Sequence, residues 1–327
     1  MAGVGSSVLK VDPLAAKARE IPQDYTGKSS ETAKKIVVGG GGIGGLCCAY
    51  ELMKKGHEVV VLEASGRHGG HVYTAHDELS DGLYGDYGQE HITTPGYDRY
   101  WEYIKEFNLT ALPYPRRKNV LRRINGNFYT EEMLRDPVVL KKFGFNEKEV
   151  NYLSSNPWWD LKSLYLRPYL DQFKDEYQPF NVGYDEMDNI PVSDIYKKDG
   201  ASETALSFLG GNNSSALFEF WHAAILNIRG VPTAPPEVYR LKGGNQMLPN
   251  AFAKRLGPRV WLNSPILAIK NGESGVTVTY RQQKEEIEIE ADYFVNCIPL
   301  PVFNKIPLIR NFLAFCPGSY RYFHISI

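Results

Sequence analysis

Gly40, Gly42 and Gly45 stand in a G-x-G-x-x-G spacing with Ile43 inside it, and Glu63 and Ala64 follow about 20 residues on. The spacing suits a dinucleotide. The first glycine allows a tight turn, the second lets backbone approach a pyrophosphate, and the third lets a helix pack closely on a strand. The helix that must follow offers free N–H groups and a partial positive charge to the phosphates. A carboxylate at Glu63 can accept hydrogen bonds from an adenosine ribose, which suits NAD or FAD and disfavours a 2′-phosphate. A purely structural glycine turn is the alternative reading.

The stretch "EASGRHGGHVYT", Glu63 to Thr74, adds a glycine pair, Gly69-Gly70, between Arg67 and His71. Paired glycines cost backbone entropy and mark places where nothing larger fits. His68, His71 and His76 share no helical spacing, so no metal site is expected. The four cysteines contain no C-x-x-C pair, and the adjacent Cys47 and Cys48 read as small buried residues in an apolar helix.

The elements that hold these residues follow from pattern. "KIVVGG" is a short β-branched run ending at glycine, and "EVVVLEA" is a second; both read as buried parallel strands. Between them "IGGLCCAYELMKKGH" has helical spacing at Leu46, Ala49, Tyr50 and Met53 and stops at Gly56. Strand, helix and strand make a βαβ unit. Further on, "YDRYWEYIKEFNL" reads as an amphipathic helix with Tyr97, Tyr100, Ile104 and Phe107 on one side. Asn125-Gly126 predicts a hairpin. Residues from Thr130 to about Arg229 read as mostly helical, "VPTAPPEVYR" as a junction, and "LKGGNQMLPNAFAKRLG" as a glycine turn entering a helix. Several strands follow, and the acidic run "KEEIEIE" reads as one of them, half exposed.

The chain has 327 residues, 43% of them hydrophobic and 23% charged, with a formal net charge of -1. That composition is globular and offers no electrostatic footprint for nucleic acid. No run of about 18 apolar residues predicts a membrane span, and the first 35 residues lack a secretory core, so a reduced cytoplasmic setting is expected.

"EASGRHGGHVYT" resembles the E-A-x-x-R-x-G-G-R-x-x-T segment of the flavin-containing amine oxidase family, which includes monoamine, polyamine and L-amino-acid oxidases. "GDYGQEHI" is similar to that family's D-x-G-G segment, and "YRLKGGNQMLPNAFAKRLG" to its W-R-x-x-G-G-x-x-x-L-P. "RVWLNSPILAI" and "ADYFVNCIPLPVF" resemble two more, so the resemblance runs from Lys34 to about Pro307. It implies FAD as cofactor. The glycine pair would lie near flavin and pyrophosphate with Arg67 balancing phosphate charge, the Ile266 backbone would meet the adenine, and Gly88, Gln89, Glu90 and His91 would run beside the flavin ring.

The implied fold is α/β: a Rossmann-like FAD-binding domain of glutathione-reductase type with a discontinuous, mainly helical substrate domain. The expected division is a loosely ordered extension (1–33), FAD-binding segments at 34–95 and 236–298, a helical substrate region at 96–235, and the start of a second substrate segment at 299–327. The implied reaction oxidises the C–N bond of an amine or amino acid, with O2 as acceptor and hydrogen peroxide as product. A desaturase-like C–C flavoenzyme and a catalytically inactive FAD-binding fragment are the alternatives. A homodimer is the assembly considered.

Two positions depart from the family pattern. His71 replaces a second arginine, with a plain surface histidine as the bland reading. His91 stands where L-amino-acid oxidases carry the arginine that binds substrate carboxylate, and an imidazole cannot supply a bidentate fork. An amine therefore gains over an amino acid. The ending "RNFLAFCPGSYRYFHISI" resembles no family segment, which reads as a truncated, frameshifted or alternatively spliced product, or else as a compact variant. No catalytic residue can be named.

Overall fold

The computed structural model describes residues 9–10, 33–76, 79–114, 120–210, 214–232 and 237–310. Most of the expected N-terminal extension, Thr233 to Pro236 of the junction, and the atypical ending lie outside the described residues. The fold mixes helices with parallel and antiparallel sheets, and it divides into two compact units. One is drawn from Met1–Glu90, Tyr103–Ala111 and Leu241–Ile327, the other from His91–Glu102 and Leu112–Arg240.

In the first unit a parallel sheet runs in the order Val260–Trp261, Glu58–Leu62, Lys35–Gly39, Tyr293–Asn296. Val37, Val38, Val59, Val60 and Val61 have no exposed surface. Continuous apolar runs of this kind belong to parallel strands covered on both faces. Each such valine contributes about 1.5–3 kcal/mol by leaving water. The Ile43–Lys54 helix buries Leu46, Ala49, Tyr50 and Met53, and the chain leaves it at Gly56 with φ 87°. That positive φ is where glycine is favoured.

Tyr50 packs edge-on against Tyr103, Phe107 and Phe252, with ring centroids 6.3, 5.3 and 5.5 Å away. The Asp98–Glu106 helix begins one residue after Tyr97, which has φ 58° and is exposed. The helix buries Tyr103 and Ile104, and Phe107 packs on Tyr50, so the predicted stripe holds at Ile104 and Phe107 but not at Tyr97.

A second sheet in this unit has the order Leu9–Lys10, Glu285–Ala291, Val276–Gln282, Ile266–Asn271, Leu308–Arg310. Val278 pairs with Ile289 and Tyr280 with Ile287, all buried, while Glu285 and Glu290 stay exposed. The acidic run is thus a half-buried strand, with Glu286, Glu288 and Glu290 alternating with the buried isoleucines on its other face.

The second unit carries the helices Pro137–Phe143, Glu147–Leu153, Leu161–Leu166, Val192–Lys198, Glu203–Leu209 and Ala216–Ile228. Their shared core includes Leu140, Leu153, Tyr165, Tyr196 and Phe220. Four of these helix starts are closed by side chains, and those at Leu161 and Val192 are not: Asp136 accepts from the Val138 N–H, Ser202 from Ala205 and Ser215 from Phe218. Asn146 and Glu149 form a full capping box.

Glu149, with no exposed surface, does more than cap. Its carboxylate accepts from the Asn146 and Ser202 N–H groups at 2.8 Å each, and from the Tyr165 and Ser202 hydroxyls at 2.6 Å each. A buried charge is tolerated when it is hydrogen-bonded this fully. The Leu121–Ile124 and Asn127–Thr130 strands form the expected hairpin, with Asn125 at φ 49° and Gly126 at φ 84°. Two successive positive φ values are what a tight type I′ turn requires. A cavity of about 850 Å³ opens between this hairpin and the helices, with Phe143, Phe145, Trp158 and Phe208 in its wall.

Candidate functional site

The Gly40–Gly45 loop joins the Lys35–Gly39 strand to the Ile43–Lys54 helix. Gly40 has φ 102°, and its N–H donates to the Leu62 carbonyl at 2.8 Å, which ties the turn to the neighbouring strand. A methyl on Gly45 would collide with the Gly40 carbonyl oxygen. The helix cap at Gly42 has no side-chain hydrogen bond, and the first turn contains no acid. A methyl on Gly44 would meet nothing within 4 Å. The helix start is therefore open, with N–H groups unanswered by a cap.

Glu63 closes one side of this loop. Its own N–H donates to the Trp261 carbonyl and its carbonyl accepts from Ser264 N–H, at 2.9 and 2.8 Å. Its side-chain Oε2 accepts from Gly41 N–H at 2.7 Å, and Oε1 accepts from the Ser65 N–H and hydroxyl at 2.8 and 2.7 Å. A carboxylate has about four acceptor positions, so one remains on Oε2. Ala64 beside it is exposed.

The glycine pair is held against the same loop. Gly69 N–H donates to the Gly41 carbonyl at 2.8 Å, and a methyl on Gly70 would stand 2.9 Å from the Gly42 Cα. Contact between backbones already requires glycine here. The Arg67 guanidinium donates to the Gly70 carbonyl at 2.7 Å and lies 4.8 Å from the Tyr73 ring centre. His71 is exposed, and its carbonyl occupies the place where a Gly88 side chain would be.

Gly88 thus lies directly against the His71 backbone, while the Gln89 and Glu90 carbonyls accept from Asn245. Ile266 belongs to this unit as well; its Cδ1 would lie 3.0 Å from a methyl on Gly39. His91 falls in the second unit, where its ring is edge-on to Tyr114 at 4.8 Å, with the Arg240 guanidinium 5.6 Å from the same Tyr114 ring.

Cys47, Cys48 and Cys297 form no disulfide among the described residues and are only partly buried, where the pattern reads the adjacent pair as buried. Both adjacent thiols cannot face inward from one helix, because successive residues point about 100° apart. Burial, with the Cys297 and Cys47 thiols nearby, pushes the Cys48 thiol from its ordinary 9.0 to about 12. Burial, helped by the nearby Cys47 thiol, also raises Cys297. Neither is a ready nucleophile near neutral pH. Among the described residues, no cluster of His, Cys, Asp and Glu could hold a metal, and no helix is long and apolar enough to cross a membrane.

Residues 43–314 match the model of the flavin containing amine oxidoreductase family. The chain belongs to that family. Its members carry FAD and are oxidoreductases. An L-amino acid oxidase of Bothrops pictus is 27% identical over 321 residues, covering 91% of this chain and 60% of that one. An L-amino-acid oxidase of Demansia vestigiata is 28% identical, covering 83% and 52%. Among solved structures, a putrescine oxidase bound to putrescine superposes with a TM-score of 0.67 at 21% identity, over 85% of this chain and 60% of that one. Cyclohexylamine oxidase from Brevibacterium oxydans IH-35A gives 0.66 at 22%, over 84% and 60%. The chain spans 60% or less of the length of these relatives.

The family's cofactor suits the loop on structural grounds: an open helix start, free space above Gly44, and a spare acceptor on Glu63. Sequence patterns did not single out Asn245, Tyr114 or Arg240. Asn245 lies in "GGNQ", where a buried polar residue directly after two glycines was the available signal.

Proposed function

We propose that the first unit is a Rossmann-like half of an FAD site and that the protein oxidises the C–N bond of an amine. The observation that carries the reading is the uncapped glycine helix start with Glu63 folded against it. In this reading Gly40, Gly42, Ile43 and Gly45 receive the pyrophosphate at the helix N-terminus. Glu63 and Ala64 hold the adenosine ribose, and the Ile266 backbone meets the adenine. Arg67 and His71 face the phosphates, while Gly88 to His91 line the flavin. The mainly helical second unit is read as the substrate domain.

FAD, when bound, supplies the hydride acceptor, with O2 as terminal oxidant, imine as first product and hydrogen peroxide released. The chain's own residues supply orientation. Gly69 and Gly70 let the backbone come close, and Arg67 offsets phosphate charge without a metal. An amine is favoured over an amino acid because His91 stands at the position of the carboxylate-binding arginine, and an imidazole gives no two-pronged fork.

The test is the visible absorbance of the purified chain, with extracted cofactor identified by mass, followed by peroxide assays on primary amines and L-amino acids. Yellow protein holding FAD, with peroxide formed from amines, is the expected result. Colourless protein that takes up no added FAD refutes the cofactor reading. Peroxide from amino acids alone refutes the substrate preference.

A further inference from the structure

Asn245 has no exposed surface and uses its side chain almost to capacity. Nδ2 donates one hydrogen to the Gln89 carbonyl at 2.9 Å and the other to the Glu90 carbonyl at 3.1 Å. Oδ1 accepts from the Leu241 N–H at 3.0 Å. The Asn245 backbone N–H donates to Asp86 Oδ1 at 2.9 Å. That carboxylate oxygen also accepts from the Thr74 hydroxyl at 2.5 Å, and the Thr74 oxygen accepts from the Gln246 N–H at 3.0 Å. One tight turn therefore grips Thr74, Asp86, Gln89 and Glu90 at once.

The side-chain chemistry leaves little choice of residue. Two donors and an acceptor at this reach are what asparagine offers; aspartate has no donor when ionised, and glutamine is one methylene longer. The turn itself needs its glycines. Gly243 and Gly244 have φ 84° and 92°, and a methyl on Gly244 would collide with Thr74.

We propose that Asn245 is a positioning residue that fixes the backbone of Asp86–Glu90 at the height and tilt required beside the flavin. This rests on the cofactor reading above. Gln89 and Glu90 present their carbonyls to Asn245, so the peptide planes at these residues are set from behind by one buried amide. Displacing them moves whatever those peptides touch on their other face. Asn245 itself takes no part in the chemistry.

The test compares the wild type with Asn245→Asp and Asn245→Ser, and with Lys254→Ala as an exposed control on the following helix. FAD affinity, visible circular dichroism of the bound flavin, and amide exchange at residues 86–90 in the cofactor-free chain are read together. In Asn245→Asp a carboxylate faces two carbonyls, and FAD affinity is expected to fall about tenfold or more. The flavin dichroism changes and exchange at 86–90 quickens. Asn245→Ser, which leaves no charge behind, shows the same signs more weakly and carries the test should the aspartate variant not fold, and Lys254→Ala shows none.

A lower melting temperature with unchanged affinity and unchanged dichroism would mean that Asn245 is merely structural, and it overturns the proposal. A wild type that takes up no FAD refutes the cofactor reading, and the flavin-positioning role falls with it. FAD uptake by the wild type, undisturbed in both Asn245 variants, overturns the positioning role alone.

Discussion

Two helix starts in this molecule meet the same physical problem in opposite ways. At Glu147–Leu153 the exposed N–H groups are answered by Asn146 and by Glu149, whose buried carboxylate also gathers Ser202 and Tyr165. At Ile43–Lys54 the cap is a glycine without a side chain, and no acid stands in the first turn. Side chains cap the helices at Asp136, Asn146, Ser202 and Ser215, whereas the helices starting at Ile43, Leu161, Val192 and Met247 carry no side-chain cap; the first of these stands apart in its glycine cap and in the open space above Gly44. The closed start serves stability. The open one leaves helix N–H groups unanswered by a cap.

The largest expected effect comes from breaking the closed start. Glu149→Ala leaves several buried donors without an acceptor and should cost roughly 3–4 kcal/mol by urea unfolding. Faster amide exchange in helices 147–153 and 203–209 locates the loss. If exchange instead quickens around residues 40–45, the contrast between the two starts is wrong.

Gly45→Ala comes next. Its methyl has no room beside the Gly40 carbonyl, so roughly 2–3 kcal/mol of stability is lost by overpacking. FAD uptake disappears with it. Gly44→Ala sharpens the comparison from the other side. The space there is open, so the methyl should stabilise the cofactor-free helix by about 0.5–1 kcal/mol. A melting temperature that falls instead would show that the space is not free.

The smallest effect near neutral pH concerns Cys48, on the same helix. Its thiol is raised from 9.0 to about 12, so folding holds a proton that the unfolded chain gives up. The stability contribution is full below pH 9 and drains away as pH rises towards 12. Native protein should react with a thiol reagent at this site more slowly than urea-unfolded protein. Equal rates would contradict the assigned environment.

The first unit was largely legible in the sequence because its rules are local. Val37, Val38 and Val59–Val61 write buried strands in consecutive letters, and Gly40, Gly42 and Gly45 mark a turn whose packing admits no larger residue at its last glycine. The second unit was legible only as the Asn125-Gly126 hairpin and as "mostly helical". Its central tie is Glu149, a residue that by type belongs on the surface and whose partners Tyr165 and Ser202 are distant in sequence. Asn245 escaped for the same reason: its partners at 86, 89 and 90 come from the far side of the chain. The Tyr97 stripe held at Ile104 and Phe107 and failed at its first member, because Tyr97 lies before the helix with φ 58° and does not follow the helical spacing. Spacing reveals periodicity, but it does not reveal where a helix begins.

The parallel sheet has a consequence for how the protein is made. Ile36 pairs with Val59 at once, but its other neighbour is Tyr293, and Val61 waits for Val260. A ribosome adds about 5–20 residues per second, so the first two strands emerge tens of seconds before their outer partners exist. During that interval both edges of a valine-rich pair are bare, while the helical residues between them are already complete. Nascent chains of this protein should therefore engage a chaperone early and release it only after residue 296 has left the tunnel.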